Sequence, residues 1–329
     1  MKKKTWTGTL LLLLTAAVWG FAFSAQAKVA EVCGPFTVTC LRYVLGGLVL
    51  LPVIAIADRV QGGERKLFSR TRPHIGLTGT EWRGGLFCGL VLAVASVLQQ
   101  EGLALERENT TKGAFIASLY VILVPVFGLL LGRRPKWNVW AGVSVALVGF
   151  FLLTAGSHAG EGGLGDLFVS LGENGFALTM GEWLLLASAA GFAIHILVID
   201  HFAPRVDCVR MACVQFFVAS LLTLPGMLAI ERPDATAIVS GAWAIAYIGV
   251  MSSGVGFTLQ IVGQKGAEPA VATVILSLES VFGALGALVV LHEQKTPVQY
   301  VGCGIVFAAV LLAQFPFGRK KKETPGTDA

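Results

Sequence analysis

A chain of 329 residues that is 55% hydrophobic and only 14% charged has too few ionic groups to cover a water-exposed surface, since soluble domains average about 25% charged residues. With a mean hydropathy of +0.73, its solvent is largely lipid. The net charge of +5 does not point to nucleic acid, because the basic residues sit at the termini and beside apolar runs, with no basic-aromatic groove pattern.

The six cysteines (Cys33, Cys40, Cys88, Cys208, Cys213 and Cys303) are scattered, without a CxxC pair. They indicate no disulfide framework, no metal site and no cofactor. In apolar segments they act as small hydrophobes.

At the N-terminus, Lys2-Lys3-Lys4, a leucine run and Ala25-Gln26-Ala27 resemble a secretory signal with a cleavage site. The apolar run through Phe23 also has nearly the length of a membrane span and a counterpart in the second half, which favours an uncut first helix. A span needs about 20 apolar residues. That measure predicts ten, at 7–27, 34–57, 83–103, 111–131, 137–155, 183–203, 208–230, 241–262, 269–291 and 297–316. All are helical, because lipid offers no partner for an open backbone. With the N-terminus in the cytoplasm, 19 Lys and Arg residues flank the inner side and 5 the outer side. This asymmetry predicts a multi-pass protein of the cell membrane with both termini on the cytoplasmic side.

The hairpin running from Leu98 to Pro135 returns at Leu259 to Thr296, each beginning Leu-Gln and each carrying Val-Phe-Gly, at 126–128 and 281–283. Leu41-Arg42-Tyr43 lies over Val214-Gln215-Phe216, and Gly20-Phe21-Ala22 over Gly191-Phe192-Ala193. The expected fold is an all-α integral membrane protein of ten transmembrane helices, arranged as two inverted five-helix repeats. Residues 1–157 form the first repeat, 158–181 a polar linker, 182–318 the second repeat and 319–329 a basic cytoplasmic tail. Such repeats place a substrate site near the midplane, where the halves meet.

Trp19-Gly20, Arg42 with Pro52, Thr110-Thr111-Lys112-Gly113-Ala114-Phe115 before a Leu-Tyr-Val span, Ser277-Leu278-Glu279 and His292-Glu293 together resemble the EamA branch of the drug/metabolite transporter superfamily. The resemblance covers nearly the whole chain. It implies ten helices around a central cavity and movement of small polar metabolites, often outward. The chain departs from the pattern at Gly132-Arg133-Arg134, where a Glu usually follows the Gly, and at Ser280, often Pro.

The candidate substrate-binding residues are Trp19, Phe23, Arg42, Gln99, Tyr120, His195, Gln260, Ser277 and Glu279. Glu279 is a charge near the middle of a span, where ionisable groups face a cavity, pair or stay protonated. It suits a group that couples transport to a proton, or a protonated bridge to a neighbouring helix. Arg42 either snorkels, binds an anionic substrate group or pairs with Glu101. Gln99 and Gln260 occupy matched positions and serve as cavity lining or helix bridges. Trp19 and Phe23 share one helix face, Tyr120 and Ser277 add hydroxyls, and His195 reads equally as a bridge or a proton relay.

The leading reading is a gradient-driven secondary transporter, an exporter of small polar or amino-acid-like compounds working by alternating access. Its partners are a small-molecule substrate and membrane lipid, with a monomer as the default state and a homo-oligomer as the alternative. No phosphate-binding loop marks ATP as the energy source. A multi-pass enzyme acting on lipid-linked substrates is the alternative, but no HExxH, metal-ligand cluster or Ser/His/Asp set is at suggestive spacing. A channel would require a filter built from several subunits.

Overall fold

The structure, a computed structural model, describes residues 2–60, 77–106, 110–155, 179–265, 267–292, 294 and 296–314. Most of the expected linker, Glu293 and the basic tail lie outside the described residues. Every regular element among the described residues is helical: α1 (Lys2–Val29), α2 (Pro35–Val60), α3 (Gly79–Leu105), α4 (Thr110–Ala117), α5 (Tyr120–Leu130), α6 (Trp137–Ala155), α7 (Met180–Phe202), α8 (Cys208–Gly226), α9 (Ala235–Ser240), α10 (Ala242–Ala246), α11 (Thr258–Gln264), α12 (Pro269–Leu276), α13 (Glu279–Val290) and α14 (Pro297–Gln314). A π-helical stretch, Tyr247–Phe257, joins α10 to α11.

Eight helical rods are long and apolar enough to cross a membrane, and two shorter apolar helices, Trp137–Leu152 and Pro297–Ala313, bring the set to the ten expected. The two short helices, α6 and α14, pack on each other through Val139, Val143, Ala146 and Phe150 against Val306, Ala309, Val310 and Ala313.

Helices α3 and α7 start about one turn earlier than apolar length alone predicts. In each, a threonine and a glutamate form a capping box: Thr78 with Glu81, and Thr179 with Glu182. The reciprocal bonds satisfy amide groups that the first turn leaves open. Both glutamates are buried, which hydropathy counting does not anticipate.

Two rods expected to be continuous are interrupted. α4 passes to α5 at Ser118-Leu119, and α12 to α13 at Ser277-Leu278. At both sites the backbone stays helical but tightens to i→i−3 bonds, including Leu119 N–H to the Ile116 carbonyl and Leu278 N–H to the Ile275 carbonyl. In each case the serine hydroxyl bonds back to a carbonyl of its own helix: Ser118 Oγ to Ala114 at 2.9 Å and Ser277 Oγ to Val274 at 2.7 Å. That competition with the backbone ladder is a known way for Ser to bend a helix. The shared Ser-Leu dipeptide matches the two rods about one helical turn away from the match given by Val-Phe-Gly.

The packing has a two-fold pattern. α1 lies on α13 as α4 and α5 lie on α7, and α3 contacts α7 as α1 contacts α11. α2 contacts the π stretch as α3 contacts α8, while the pairs α2–α8 and α6–α14 map onto themselves.

The α2–α8 pair is clasped at both ends. At one end the Glu231 carboxylate accepts hydrogen bonds from Phe36 N–H and Thr37 N–H, both 2.7 Å, at the start of α2. At the other, Asp58 near the end of α2 pairs with Arg210 in the first turn of α8. An anion at a helix N-terminus meets both open amides and the positive end of the helix dipole.

Close approach depends on two glycines. A Cβ on Gly34 would stand 2.4 Å from the Glu231 carboxyl carbon, and one on Gly20 only 2.3 Å from Phe282 Cβ, where α1 crosses α13. Glu231→Ala is expected to lower stability by about 1–2 kcal/mol through loss of the α2 cap. Gly20→Ala is expected to lower the unfolding temperature in detergent, whereas Gly304→Ala, which meets nothing within 4 Å, leaves it unchanged or raises it slightly. Thermal unfolding of the three variants checks this, and an unshifted Gly20→Ala would contradict the tight α1–α13 crossing.

Candidate functional site

The broken rods bring two residues to the centre of the bundle. Tyr120 opens α5 and Glu279 opens α13, each the residue after a Ser-Leu break. Both line a central cavity of about 40 Å3. α1 adds Trp19, Ala22, Phe23 and Gln26, α2 adds Arg42, α3 adds Gln99 and α7 adds Phe192 and Ile196. The π stretch adds Ser252 and Phe257, and α11 adds Gln260. About 40 Å3 holds roughly three waters, while metabolite pockets run to about 300–1,000 Å3. The cavity must widen to accept a metabolite.

Arg42 is 5% exposed, and each of its three guanidinium nitrogens donates one hydrogen bond. Nη1 donates to Gln26 Oε1 at 3.0 Å, Nη2 to Ser252 Oγ at 3.0 Å and Nε to Ser253 Oγ at 3.2 Å. Its carbon head also sits 5.2 Å from the Tyr43 ring centre. Of the alternatives for Arg42, the pair with Glu101 is not formed: among the described residues, Arg42 has no carboxylate within ion-pair distance. The reason is geometric. Ser252 and Ser253 belong to the π stretch facing α2, and Gln26 lies one turn beyond Phe23 on α1, so a neutral acceptor meets each of the three nitrogens. Gln100 Nε2 in turn donates to the Gln26 carbonyl at 3.1 Å, tying α3 to the network.

Glu279 is 4% exposed. One carboxyl oxygen lies 3.0 Å from Ser118 Oγ, sharing its single proton with the Ala114 carbonyl, and Ser118 meets Ser280 Oγ at 2.6 Å. The buried Tyr120 hydroxyl lies beside Glu279 without reaching a partner at full hydrogen-bond geometry. Gln260 Oε1, from a residue lining the same cavity, is likewise unpartnered. Buried polar atoms are normally bonded, so two open ones facing one cavity mark places where a bound molecule can add contacts.

Aromatic rings form the rest of the wall. Trp19 and Phe257 stand 4.6 Å apart, and Trp19 Nε1 donates to the Ser252 carbonyl at 3.1 Å. That carbonyl lies in the π stretch, where the usual helical ladder is displaced.

Seven of the nine residues singled out in the sequence line this cavity: Trp19, Phe23, Arg42, Gln99, Tyr120, Gln260 and Glu279. Two are placed elsewhere. His195 is fully buried behind Phe257, with Nε2 3.1 Å from Gln215 Oε1, so it bridges α7 to α8. The Ser277 hydroxyl is spent on its own helix and marks the break rather than the wall.

Sequence reasoning passed over Gln26, Phe192, Ser252 and Phe257. A signal for Gln26 is present, because Trp19, Phe23 and Gln26 recur at helical spacing on one face, although Gln26 also falls within Ala25-Gln26-Ala27, which resembles a cleavage site. Ser253, four residues after Gly249, has the spacing of a small packing residue, but its hydroxyl also accepts across helices from Arg42 Nε.

Arg42→Lys keeps the charge but loses the fork that holds three acceptors. It is expected to cost about 1–3 kcal/mol. Thermal unfolding of the purified variant measures it, and a wild-type melting temperature would show that the network does not hold α1, α2 and the π stretch together.

Comparison with known proteins bears on this site. A family profile described as the EamA-like transporter family matches residues 6–155 and 179–315. A protein of Archaeoglobus fulgidus named an uncharacterized transporter is 26% identical over 92% of this chain and 83% of its own length. A protein of Streptantibioticus cattleyicolor named a probable terminal-alkyne amino-acid exporter is 25% identical over 99% of each chain. One solved crystal structure superposes with a TM-score of 0.68 at 18% identity, covering 95% of this chain and 97% of its own, which establishes the fold alone.

Proposed function

The chain belongs to the EamA-like transporter family, a multi-pass membrane transporter, and from that premise we propose that it exports amino-acid-like zwitterions through the central cavity. The carrying observation is that one cavity holds a buried guanidinium, Arg42, and a buried carboxyl, Glu279, on different walls. A zwitterion carries the complementary pair. Its carboxylate finds Arg42 and Gln26, and its ammonium finds Glu279 and the open Tyr120 and Gln260 oxygens.

Binding energy then comes from replacing neutral partners of Arg42 by an ionised carboxylate, which can meet the planar fork with two parallel bonds. The aromatic and aliphatic wall of Trp19, Phe23, Phe192 and Phe257 receives the side chain of the ligand. The amino-acid exporter among the relatives supports the same substrate class.

In this reading the two five-helix halves rock about the fixed α2–α8 seam and expose the cavity to each side in turn, driven by an ion or substrate gradient. The N-terminus faces the cytoplasm of a cell membrane, in keeping with the bias of 19 basic residues over 5. A monomer is the transporting unit, because one chain encloses the cavity.

Thermal-shift screening of the detergent-purified protein tests the substrate class. A neutral amino acid at about 100 times its dissociation constant is expected to stabilise the fold by about 2.7 kcal/mol. The matching amine or carboxylic acid, presenting one charge, is expected to give a far smaller shift. Glu279→Gln keeps shape and the Ser118 contact but removes the charge, and is expected to abolish the shift and cut counterflow in proteoliposomes at least tenfold. Equal shifts from amines and amino acids would remove the carboxylate from the reading, and wild-type counterflow in Glu279→Gln would remove Glu279.

A further inference from the structure

A second cavity, of about 390 Å3, lies among α5, α7 and the start of α12. It sits end to end with the central one. Along α5, Tyr120 faces the central cavity while Val124, one turn on, faces the cleft. Along α7, Ile196 lines the first and Leu197 the second. The partition between them is apolar and belongs to one buried cluster that includes Val121, Val124, Ile196, Leu197 and Ala270.

The rim of the cleft is charged. Arg133 pairs with Asp200, and Arg134 and Glu268 stand on the same lining. Arg133 is held in place by the backbone. Gly132 (φ +76°) ends α5 with two bonds, Gly132 N–H to Leu129 carbonyl and Arg133 N–H to Gly128 carbonyl at 2.9 Å. That double bond pattern is the glycine-terminated helix end that turns the next residue back over the helix. Asp200 is only 17% exposed on α7. Arg133 belongs to the first half of the chain and Asp200 to the second, so the pair crosses the same divide as the central cavity.

The cleft volume falls in the range that takes a metabolite, which the central cavity in this conformation does not. Both cavities combine a cation, an acid and apolar walls.

We propose that this cleft is a separate access site for the zwitterionic substrate, which enters by exchanging partners with the Arg133–Asp200 pair before it reaches the central cavity. The proposal rests on the substrate class argued above. A zwitterion opens this pair without stranding either charge: its carboxylate takes over Arg133 as its ammonium takes over Asp200. A molecule with a single charge displaces one partner and offers nothing to the other; Arg133, 42% exposed, can turn to water, whereas Asp200, 17% exposed, is less able to. With the pair parted, the tie between α7 and the end of α5 is released, and the apolar partition at Val124 and Leu197 is the remaining barrier to the central site.

The test uses the full chain in proteoliposomes with Ala267→Cys, a position on the cleft wall, labelled by a membrane-impermeant maleimide. Five native cysteines are buried and Cys303 is half-buried, and unmodified protein supplies the background. A mixture of neutral L-amino acids is expected to slow labelling at least fivefold, against less than twofold for the matched amines or carboxylic acids. Arg133→Gln and Asp200→Asn should each remove that protection, and the exchanged pair Arg133→Asp/Asp200→Arg should restore it. Adding Glu279→Gln should leave protection intact while the thermal shift disappears.

A thermal shift in the parent protein without protection at Ala267→Cys would overturn the access site alone. Neither shift nor protection would overturn the zwitterion reading and this site with it. Protection lost through Glu279→Gln would merge the two sites into one, and an exchanged pair that melts like the parent yet gives no protection would take the ion pair out of recognition.

Discussion

A charged group enclosed in a lipid-embedded bundle has to find its partners within the protein, because neither water nor bulk solvent supplies them. Arg42 imposes that constraint here. Its three bonds reach α1 through Gln26 and the π stretch through Ser252 and Ser253, and Gln26 carries the network on to α3 through Gln100. Four elements are therefore joined through one network, with the guanidinium making the α2–α1 and α2–π crossings and Gln100 the α3–α1 one. The partners are neutral, so the charge is solvated but not cancelled. That leaves a buried positive site that an anionic group can still use, which a salt bridge to Glu101 would have quenched.

Glu279 answers the same constraint differently. Its carboxyl stands at the first residue of α13, where the tightened turn at Ser277-Leu278 has opened the helical ladder. A helix N-terminus favours negative charge, and Ser118 from the other broken rod supplies a hydroxyl donor. The two breaks thus act together: one delivers Tyr120 and Ser118, the other delivers Glu279 and Ser280, and the four meet at the middle of the bundle. Discontinuous helices at a repeat interface are a recurrent solution to placing polar chemistry at membrane depth.

The rigid and the yielding parts of the molecule are separable by their bonds. The α2–α8 seam is tied at one end by Glu231 on two amides and at the other by Asp58 with Arg210. The opposite side of the bundle, where α5, α7 and α12 converge, encloses an open cleft and is tied at its rim by the Arg133–Asp200 pair. Movement that exposes the central cavity on that side has fewer bonds to break than movement at the seam.

The sequence by itself determined what depends on solvent and on spacing. Apolar length marked the crossings, since lipid admits only backbones that satisfy themselves, and the cost of intramembrane polarity picked out Arg42, Gln99, Gln260 and Glu279 as residues needing an interior. Helical spacing put Trp19 and Phe23 on one face. Tertiary structure alone decided the pairings. Whether Arg42 met Glu101 or the serines depended on which face the π stretch turned toward α2, and whether His195 met the cavity or Gln215 depended on where Phe257 packed between them. The first outcome depends on contacts between residues more than 200 positions apart, as Arg42 and Ser252 are, and the second on a pair from neighbouring helices, with Phe257 brought beside it from a third. Spacing along one helix constrains its own face and carries no information about the face that will oppose it.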